Sequence, residues 1–248
     1  MRFFTDETVI DRRLLTAVGV AAAVSFAPIA LAGGDDHDDD HDHDHGDHTD
    51  VLLKLQNDQI RPYKEMDGAN GSFDVFSRVH EGELGELAPN FGDQPGFESF
   101  DIATGASLGF DLLGDLRVWN GAGFDLAPAN MTVGLFLDSP AEVSVDTAPG
   151  VAPGFAFATH DGDEAHGDLQ FRYNGAADPA IYLLELRIWT DMAGVGHSGS
   201  IFLVLNQGLD EVDHEAAADY VEANIVPSPG AAGMLGLAGL AALGRRRR

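Results

Sequence analysis

Short apolar segments separated by turn-forming residues make up the chain from residue 51 onward, and this pattern constrains the fold more than any other feature. Within the segments apolar and polar residues alternate, as they do in half-buried β-strands. Between the segments stand Gly, Pro, Asn and Asp, and Gly alone accounts for 30 of the 248 residues. The spacing is too short for strand–helix–strand units. The pattern therefore predicts an all-β fold, an antiparallel β-sandwich or jelly roll over residues 51–225.

The predicted strands are 51–55, 60–63, 72–79, 108–112, 116–119, 131–137, 143–145, 155–157, 169–173, 181–189 and 201–205. The segment 181–189 has the clearest alternation, and its predicted core face carries Tyr182, Leu184, Leu186 and Ile188. In the segment around 169–173, Leu169, Phe171 and Tyr173 are predicted to face the core. That choice places His166 and Asp168 on the side that faces water.

One short helix is predicted after the last strand. Asp210 can cap its N-terminus, and Glu211 and Asp213 are favourable near the positive end of the helix dipole. One stripe of the helix is predicted to lie on the sandwich, and it consists of Val212, Ala216, Tyr220 and Ala223.

The N-terminus has the pattern of an export signal. Arg12 and Arg13 stand directly before an apolar run, 14–31, which ends in small residues at Ala30 and Ala32. Residues 1–32 are therefore predicted to be a signal peptide that signal peptidase cleaves after Ala32. The Arg pair also resembles a twin-arginine signal, so the sequence leaves the choice between the Sec and Tat export routes open.

The C-terminus, 226–248, combines a Pro-containing turn, an apolar stretch at 230–244 that is predicted to be a short helix, and a basic end. The turn residues are Val226, Pro227, Ser228 and Pro229, and the basic end is Arg245, Arg246, Arg247 and Arg248. The order of these parts resembles the PEP-CTERM sorting signal of exported bacterial proteins, with Ser228 where that family usually has Glu. The resemblance implies an exosortase-type sorting enzyme, transient insertion of the apolar helix in the membrane, and delivery to the cell surface or extracellular matrix. The Arg residues agree with this interpretation, since four of them stay on the cytoplasmic side of a bilayer. The alternatives are a plain C-terminal anchor or a frayed tail.

The middle region is similar to a group of PEP-CTERM proteins from environmental bacteria. The similarity rests on a His/Asp-rich start before the first strand, on the turn 118–121 and on the strand segment 182–186. No activity is assigned to that group, so the resemblance implies one folded unit and transfers no catalytic residue.

Charge limits the partners that the chain can have. The sequence holds 14 basic and 41 acidic residues and no Cys, which excludes disulfides and thiolate metal sites. Without its two ends the chain keeps seven basic residues and a net charge of about −31 with His neutral. Such a surface repels nucleic acid and attracts divalent cations.

The tract 33–50 reads GGDDHDDDHDHDHGDHTD and contains no apolar residue, so it is predicted to be disordered without a ligand. Imidazole nitrogen suits Zn, Cu and Ni, whereas carboxylate oxygen suits Ca and similar ions. The candidate ligands are His37, His41, His43, His45 and His48, with Asp42 and Asp44 between them. The alternative is that the tract is a solvated acidic spacer.

A second candidate metal site lies inside the predicted domain. His160 and His166 flank three acidic residues in the segment 160–166, where they could chelate a metal across a hairpin. The segment is more typical of a solvated hairpin turn, because it contains Asp-Gly-Asp. The aromatic residues Phe91, Phe97 and Phe100 could form a ligand platform or could plug one end of the sandwich.

Nothing in the sequence forms a catalytic constellation. His197 and Ser198 are adjacent, but no Gly-x-Ser-x-Gly elbow accompanies them. Two hypotheses therefore remain. The first is an exported, non-catalytic surface or matrix protein, with exopolysaccharide as a candidate partner. The second is an extracytoplasmic protein that binds or buffers Zn, Cu or Ni through the His/Asp tract.

Overall fold

The computed structural model describes residues 50–66, 72–86, 88–135, 141–146, 150–162 and 164–227. The predicted signal peptide, the His/Asp tract before Asp50 and the tail from Ser228 onward lie outside the described residues. Within those ranges the chain forms one helix, α1 (Glu211–Asn224), and sixteen strands. The strands are β1 (Val51–Gln56), β2 (Gln59–Met66), β3 (Phe73–Phe76), β4 (Val79–Glu83), β5 (Phe91–Gly92), β6 (Phe97–Ser99), β7 (Ser107–Leu113), β8 (Arg117–Trp119), β9 (Phe124–Leu126), β10 (Met131–Gly134), β11 (Glu142–Val145), β12 (Val151–Thr159), β13 (Ala165–Gly167), β14 (Gln170–Tyr173), β15 (Ala180–Thr190) and β16 (Ile201–Gln207).

The strands are arranged in three sheets, as expected for an all-β fold with one short helix. Their orders are β13-β6-β1-β2-β3, β11-β10-β14-β5 and β12-β7-β15-β16-β4, with the β8–β9 hairpin attached to β15. Most neighbouring strands are antiparallel, which confirms the predicted fold class. Two pairs, β1 with β6 and β4 with β16, are parallel instead. Parallel neighbours need a long connection, so each of these pairs joins distant parts of the sequence.

The main core lies between the sheets. Strand β15 contributes the residues that the alternation predicted, Tyr182, Leu184, Leu186 and Ile188, and all four are buried. Leu169, Phe171 and Tyr173 are buried in the same core, while His166 and Asp168 are exposed, so that prediction is also confirmed.

A second core lies on the opposite face of the largest sheet. Strand β16 is apolar from Ile201 to Leu205 and is buried on both faces, because Ile201, Leu203 and Leu205 meet the main core while Phe202 and Val204 meet α1. A strand buried on both faces has no need of polar residues, which explains the unbroken apolar run.

The predicted face of the helix was wrong. Val212, Ala216 and Ala223 are exposed and Tyr220 is half-buried, whereas the face that packs on the sheet consists of His214, Ala217, Ala218 and Val221. This stripe has the same helical spacing, and it adds a polar residue that the apolar pattern excluded. Asp210 stands at the N-cap but its side chain makes no capping hydrogen bond. Its carbonyl oxygen accepts the amide hydrogens of Asp213 and His214 instead.

Two predicted strands have different limits in the structure. The segment 72–79 is divided between β3 and β4, because the Ser77 hydroxyl donates to the Val79 carbonyl at 2.8 Å and competes with sheet pairing. The segment 131–137 ends as a strand at Gly134. The turn between β1 and β2 is a two-residue hairpin of type I′, since Asn57 and Asp58 have φ values of 52° and 57°.

Helix α1 is too short and too polar to cross a membrane, and no other helix occurs in the described ranges.

Candidate metal centre

Most residues of the predicted metal tract and of the predicted sorting signals lie outside the described residues. They are His37, His41, Asp42, His43, Asp44, His45, His48, Ala30, Ala32, Ser228, Pro229 and Arg245–Arg248. Val226 and Pro227 are described, and they follow α1 directly. The Val226 amide donates to the Val221 carbonyl at 3.0 Å, and its side chain packs against the second core.

The structure places His160 and His166 in different environments. His160 follows β12 and is buried, and its amide and carbonyl bond to Ala106 and Gly105. Neither of its ring nitrogens has a hydrogen-bond partner among the described residues. His166 lies in β13 with an exposed side chain. In the described part of the chain, the ligand atoms that gather around His166 do not include those of His160.

His166 instead lies with two carboxylates, Asp50 and Asp168. We call these three residues the leader-base cluster, because Asp50 is the last residue of the His/Asp tract 33–50, the leader of the β domain. The Nε2 atom of His166 is 3.1 Å from Oδ2 of Asp50 and 3.6 Å from Oδ1 of Asp168. One ligand atom from each residue lies within 4.8 Å of the other two. A single ion can therefore contact all three side chains after small movements.

Sheet pairing brings the leader-base cluster together. Asp50 directly precedes β1, and β6 separates β1 from β13 in the sheet. The register pairs Val51 with Phe97 and Gly167 with Phe97. The first residue of β1 and the last residue of β13 therefore lie on either side of Phe97. Asp168 follows β13 by one residue.

Gly96 forms the floor beneath the two carboxylates. A Cβ atom on Gly96 would lie 2.5 Å from Oδ1 of Asp168 and 2.6 Å from Oδ1 of Asp50. Such distances are well inside van der Waals contact, so any side chain here would push the carboxylates apart. The Val51 amide donates to the Gly96 carbonyl at 2.9 Å and fixes this floor to β1.

Negative charge accumulates around His166. Burial raises the pKa of Asp168, and the nearby Asp50 and Asp93 raise it further against the opposing effect of His166. Burial also raises the pKa of Glu98, with further contributions from Asp50 and Glu164. A bound cation relieves this repulsion, since it favours the charged form of every carboxylate around it.

The donor set of the leader-base cluster suits a transition metal. One imidazole nitrogen and two carboxylate oxygens form a mixed set of the kind that Zn²⁺ accepts, and they leave coordination positions for water or further ligands. An ionised Asp50 carboxylate only accepts, so the 3.1 Å contact is a hydrogen bond when Nε2 of His166 carries a hydrogen. A metal ion bound at Nε2 takes the place of that hydrogen, which moves to Nδ1 in the neutral ring or is released from the imidazolium.

A second group of possible ligands lies where α1 meets the sheet, and it consists of Glu81, Glu211 and His214. His214 is buried, and its Nε2 atom donates to the Val204 carbonyl at 2.9 Å. Its Nδ1 atom is 3.5 Å from Oε1 of Glu83. The Lys64 ammonium is already 3.3 Å from Glu81. These contacts hold α1 on β16 and give His214 a structural role.

The sequence pattern identified His166 as a candidate ligand but missed the other two members of the leader-base cluster, Asp168 and Asp50. His166 and Asp168 are two residues apart in an extended segment, which places them on the same face and could have suggested a pair. Asp50 is 116 residues from His166 along the chain, and no local signal connects them.

No family model matches the chain, and no curated protein matches it. Among solved structures, the CooA pilin subunit from enterotoxigenic Escherichia coli is a neighbour with 9% sequence identity and a TM-score of 0.25. The match covers 60% of this chain and 98% of that chain. At that TM-score the likeness transfers neither a fold nor a function.

Proposed function

We propose that this protein is an exported, non-catalytic surface or matrix protein that binds divalent transition metal ions where its His/Asp-rich leader joins the β domain. The observation that carries the proposal is the contact between Asp50 and His166. Asp50 is the last residue of the tract, and the fold holds its carboxylate 3.1 Å from an imidazole nitrogen. The tract therefore ends at a donor cluster that the fold has already ordered.

The leader-base cluster and the His/Asp tract contribute to the proposed metal binding in different ways. The leader-base cluster is preorganised, because three paired strands fix the backbone of its members. The tract adds five His residues within a short stretch, and His48 is only two residues from Asp50. An extended chain covers about 3.3–3.6 Å per residue, so His48 can reach an ion held by Asp50. Affinity then rises because a second ligand group acts at a high effective concentration.

The proposed location follows from the two ends of the chain. The N-terminal signal pattern supports export, and the apolar stretch with its four terminal Arg residues supports sorting at the membrane. A net charge of −27 supports an environment in which divalent cations are concentrated near the protein surface. The absence of cysteine from the sequence means that the proposed metal set is limited to N and O ligands.

Calorimetric titration with Zn²⁺ tests the proposal on the exported chain, residues 33–248. We expect binding at more than one equivalent in this chain, and one remaining equivalent after deletion of residues 35–48. In the deletion chain, His166→Ala should weaken that remaining site by roughly tenfold or more, because one of three protein ligands is lost.

The matched control is His197→Ala, which removes an exposed His outside the leader-base cluster and should leave binding unchanged. Absence of binding in the exported chain would end the metal proposal. Equal binding by the His166→Ala and His197→Ala forms of the deletion chain would place the site elsewhere.

A further inference from the structure

Cations are scarce in the folded domain, and most of them are paired with an acid. Five of the seven described Lys and Arg side chains form ion pairs, namely Lys54 with Asp74, Lys64 with Glu81, Arg117 with Asp115, Arg172 with Glu142 and Arg187 with Asp111. The remaining two, Arg61 and Arg78, form no ion pair with any described carboxylate. In a chain with 41 acidic residues, two arginines without an acidic partner are unexpected.

Both of these arginines line one cavity of about 200 Å³ at the start of β2. Its other walls come from Gln59, Ile60, Pro62, Phe76 and Gly199, and none of the lining residues is acidic. The cavity therefore presents two positive charges and no negative charge from its own walls. We call it the Arg pocket.

Arg61 has an unsatisfied hydrogen-bond donor that a ligand could use. Its Nε atom is buried and has no hydrogen-bond partner among the described residues. Its guanidinium carbon lies 5.8 Å from the centre of the Phe76 ring, a distance typical of cation–π contact. Leaving a buried donor unsatisfied costs free energy, which a ligand oxygen would recover.

Arg78 is held on the other side of the Arg pocket. Its Nε atom donates to the Ser200 carbonyl at 2.6 Å, and its guanidinium carbon lies 5.6 Å from the centre of the Phe202 ring. Burial lowers the pKa of Arg78, while the charge of Glu185 acts in the opposite direction. Because Nε is occupied, the terminal nitrogens remain to meet a ligand.

An aromatic side chain borders the Arg pocket. Phe76 lines the pocket and is 48% exposed. Exposed aromatic rings beside a polar pocket favour a ligand that has both an apolar face and a charged group. A sugar ring has such a face in its C–H groups. Gln59 lines the pocket and its Nε2 atom donates to the His197 carbonyl, so its Oε1 atom is the one that can accept from sugar hydroxyl groups.

We propose that the Arg pocket binds the carboxylate of a sugar-acid unit. Planar guanidinium groups pair with carboxylates through two parallel hydrogen bonds, and the pocket offers two such groups. The volume is below the 300–1,000 Å³ range of drug-sized ligands, so it suits one sugar ring. The overall negative charge of the protein repels anions at long range, so selectivity depends on these short-range contacts.

Titration of the exported chain with glucuronate, in the presence of a chelator that keeps the leader-base cluster free of metal, tests this proposal. We expect glucuronate to bind and glucose and sulfate to bind at least about tenfold more weakly, because charged hydrogen bonds and ring contacts are both required. Arg61→Gln should weaken glucuronate binding at least about tenfold, and Arg117→Gln, which removes an exposed arginine outside the pocket, should not.

A second measurement needs no variant. The Nε–H resonances of Arg61 and Arg78 in the unmodified chain should shift on addition of glucuronate and stay in place with glucose. The proposal is overturned if glucose or sulfate binds as tightly as glucuronate, or if glucuronate leaves both arginine resonances unchanged.

Discussion

At the scale of single residues, the histidines of this protein show how location decides the role of a side chain. His80 is a buried residue of β4, His214 holds the helix on the sheet, and His166 stands among carboxylates at the surface. Burial without an acidic partner favours the neutral form of an imidazole, whereas an exposed ring beside carboxylates is available to a cation. Of these three environments, the last is the one that suits the proposed metal binding.

His80 gives a prediction about pH. Burial, and then the charge of Lys64, lowers the pKa of His80 from 6.5 to about 3, against a weaker opposing effect of its bond to Ser77. Between those two values the unfolded chain binds the proton more strongly than the folded chain, so the free energy of unfolding falls as the pH falls. The contribution is on the order of a few kcal/mol.

Urea unfolding between pH 7 and pH 4 measures this effect, with His80→Gln as the comparison. The variant should lose less stability than the parent chain over that interval. An identical decline in both proteins would mean that His80 is not the group that titrates.

At the scale of elements, α1 is attached to the largest sheet by one narrow stripe. Val221 is fully buried in the second core, whereas Val212 is 76% exposed on the opposite side of the same helix. Both residues are Val, so a change to Ala alters helix propensity equally and differs only in burial.

Val221→Ala should lower the free energy of unfolding by roughly 1–3 kcal/mol, because a buried branched side chain is lost. Val212→Ala should change it by less than about 0.5 kcal/mol. Thermal or urea unfolding distinguishes the two. Equal effects, or a larger effect at Val212, would restore the helix face that the apolar pattern first predicted.

Strand β15 and helix α1 show where a local sequence pattern was sufficient to predict the buried face of an element and where it was not. The core face of β15 could be predicted because Tyr182, Leu184, Leu186 and Ile188 repeat with the period of a strand. The helix face could not, because Ala residues occur on several sides of α1 and the buried His214 is polar. Strands as short as β5 and β13 contain too few residues to show any alternation.

At the scale of the whole molecule, the distribution of charge separates two kinds of surface. Carboxylates gather around His166 at the base of the leader, and the two arginines that form no ion pair with a described carboxylate meet at the Arg pocket. Neither grouping follows from composition, since the net charge of −27 says nothing of where the acids lie. The first depends on the pairing of β1 and of β13 with β6, and the second on contacts such as that of Arg78 with Ser200, both between residues far apart in sequence. The His/Asp tract is visible in the sequence and its metal binding stays a prediction, whereas the cluster at its end could not be predicted.

Metal binding at the leader-base cluster is the central claim, and the imidazole ¹⁵N resonances of His166 test it most directly. The measurement uses the exported chain without residues 35–48, so that the tract cannot compete for the metal. Addition of one equivalent of Zn²⁺ should shift the Nε2 resonance of His166 and leave the ring of His197 unchanged, because Nε2 faces Asp50 and Asp168. A His166 ring that stays unchanged at saturating Zn²⁺ would contradict the account.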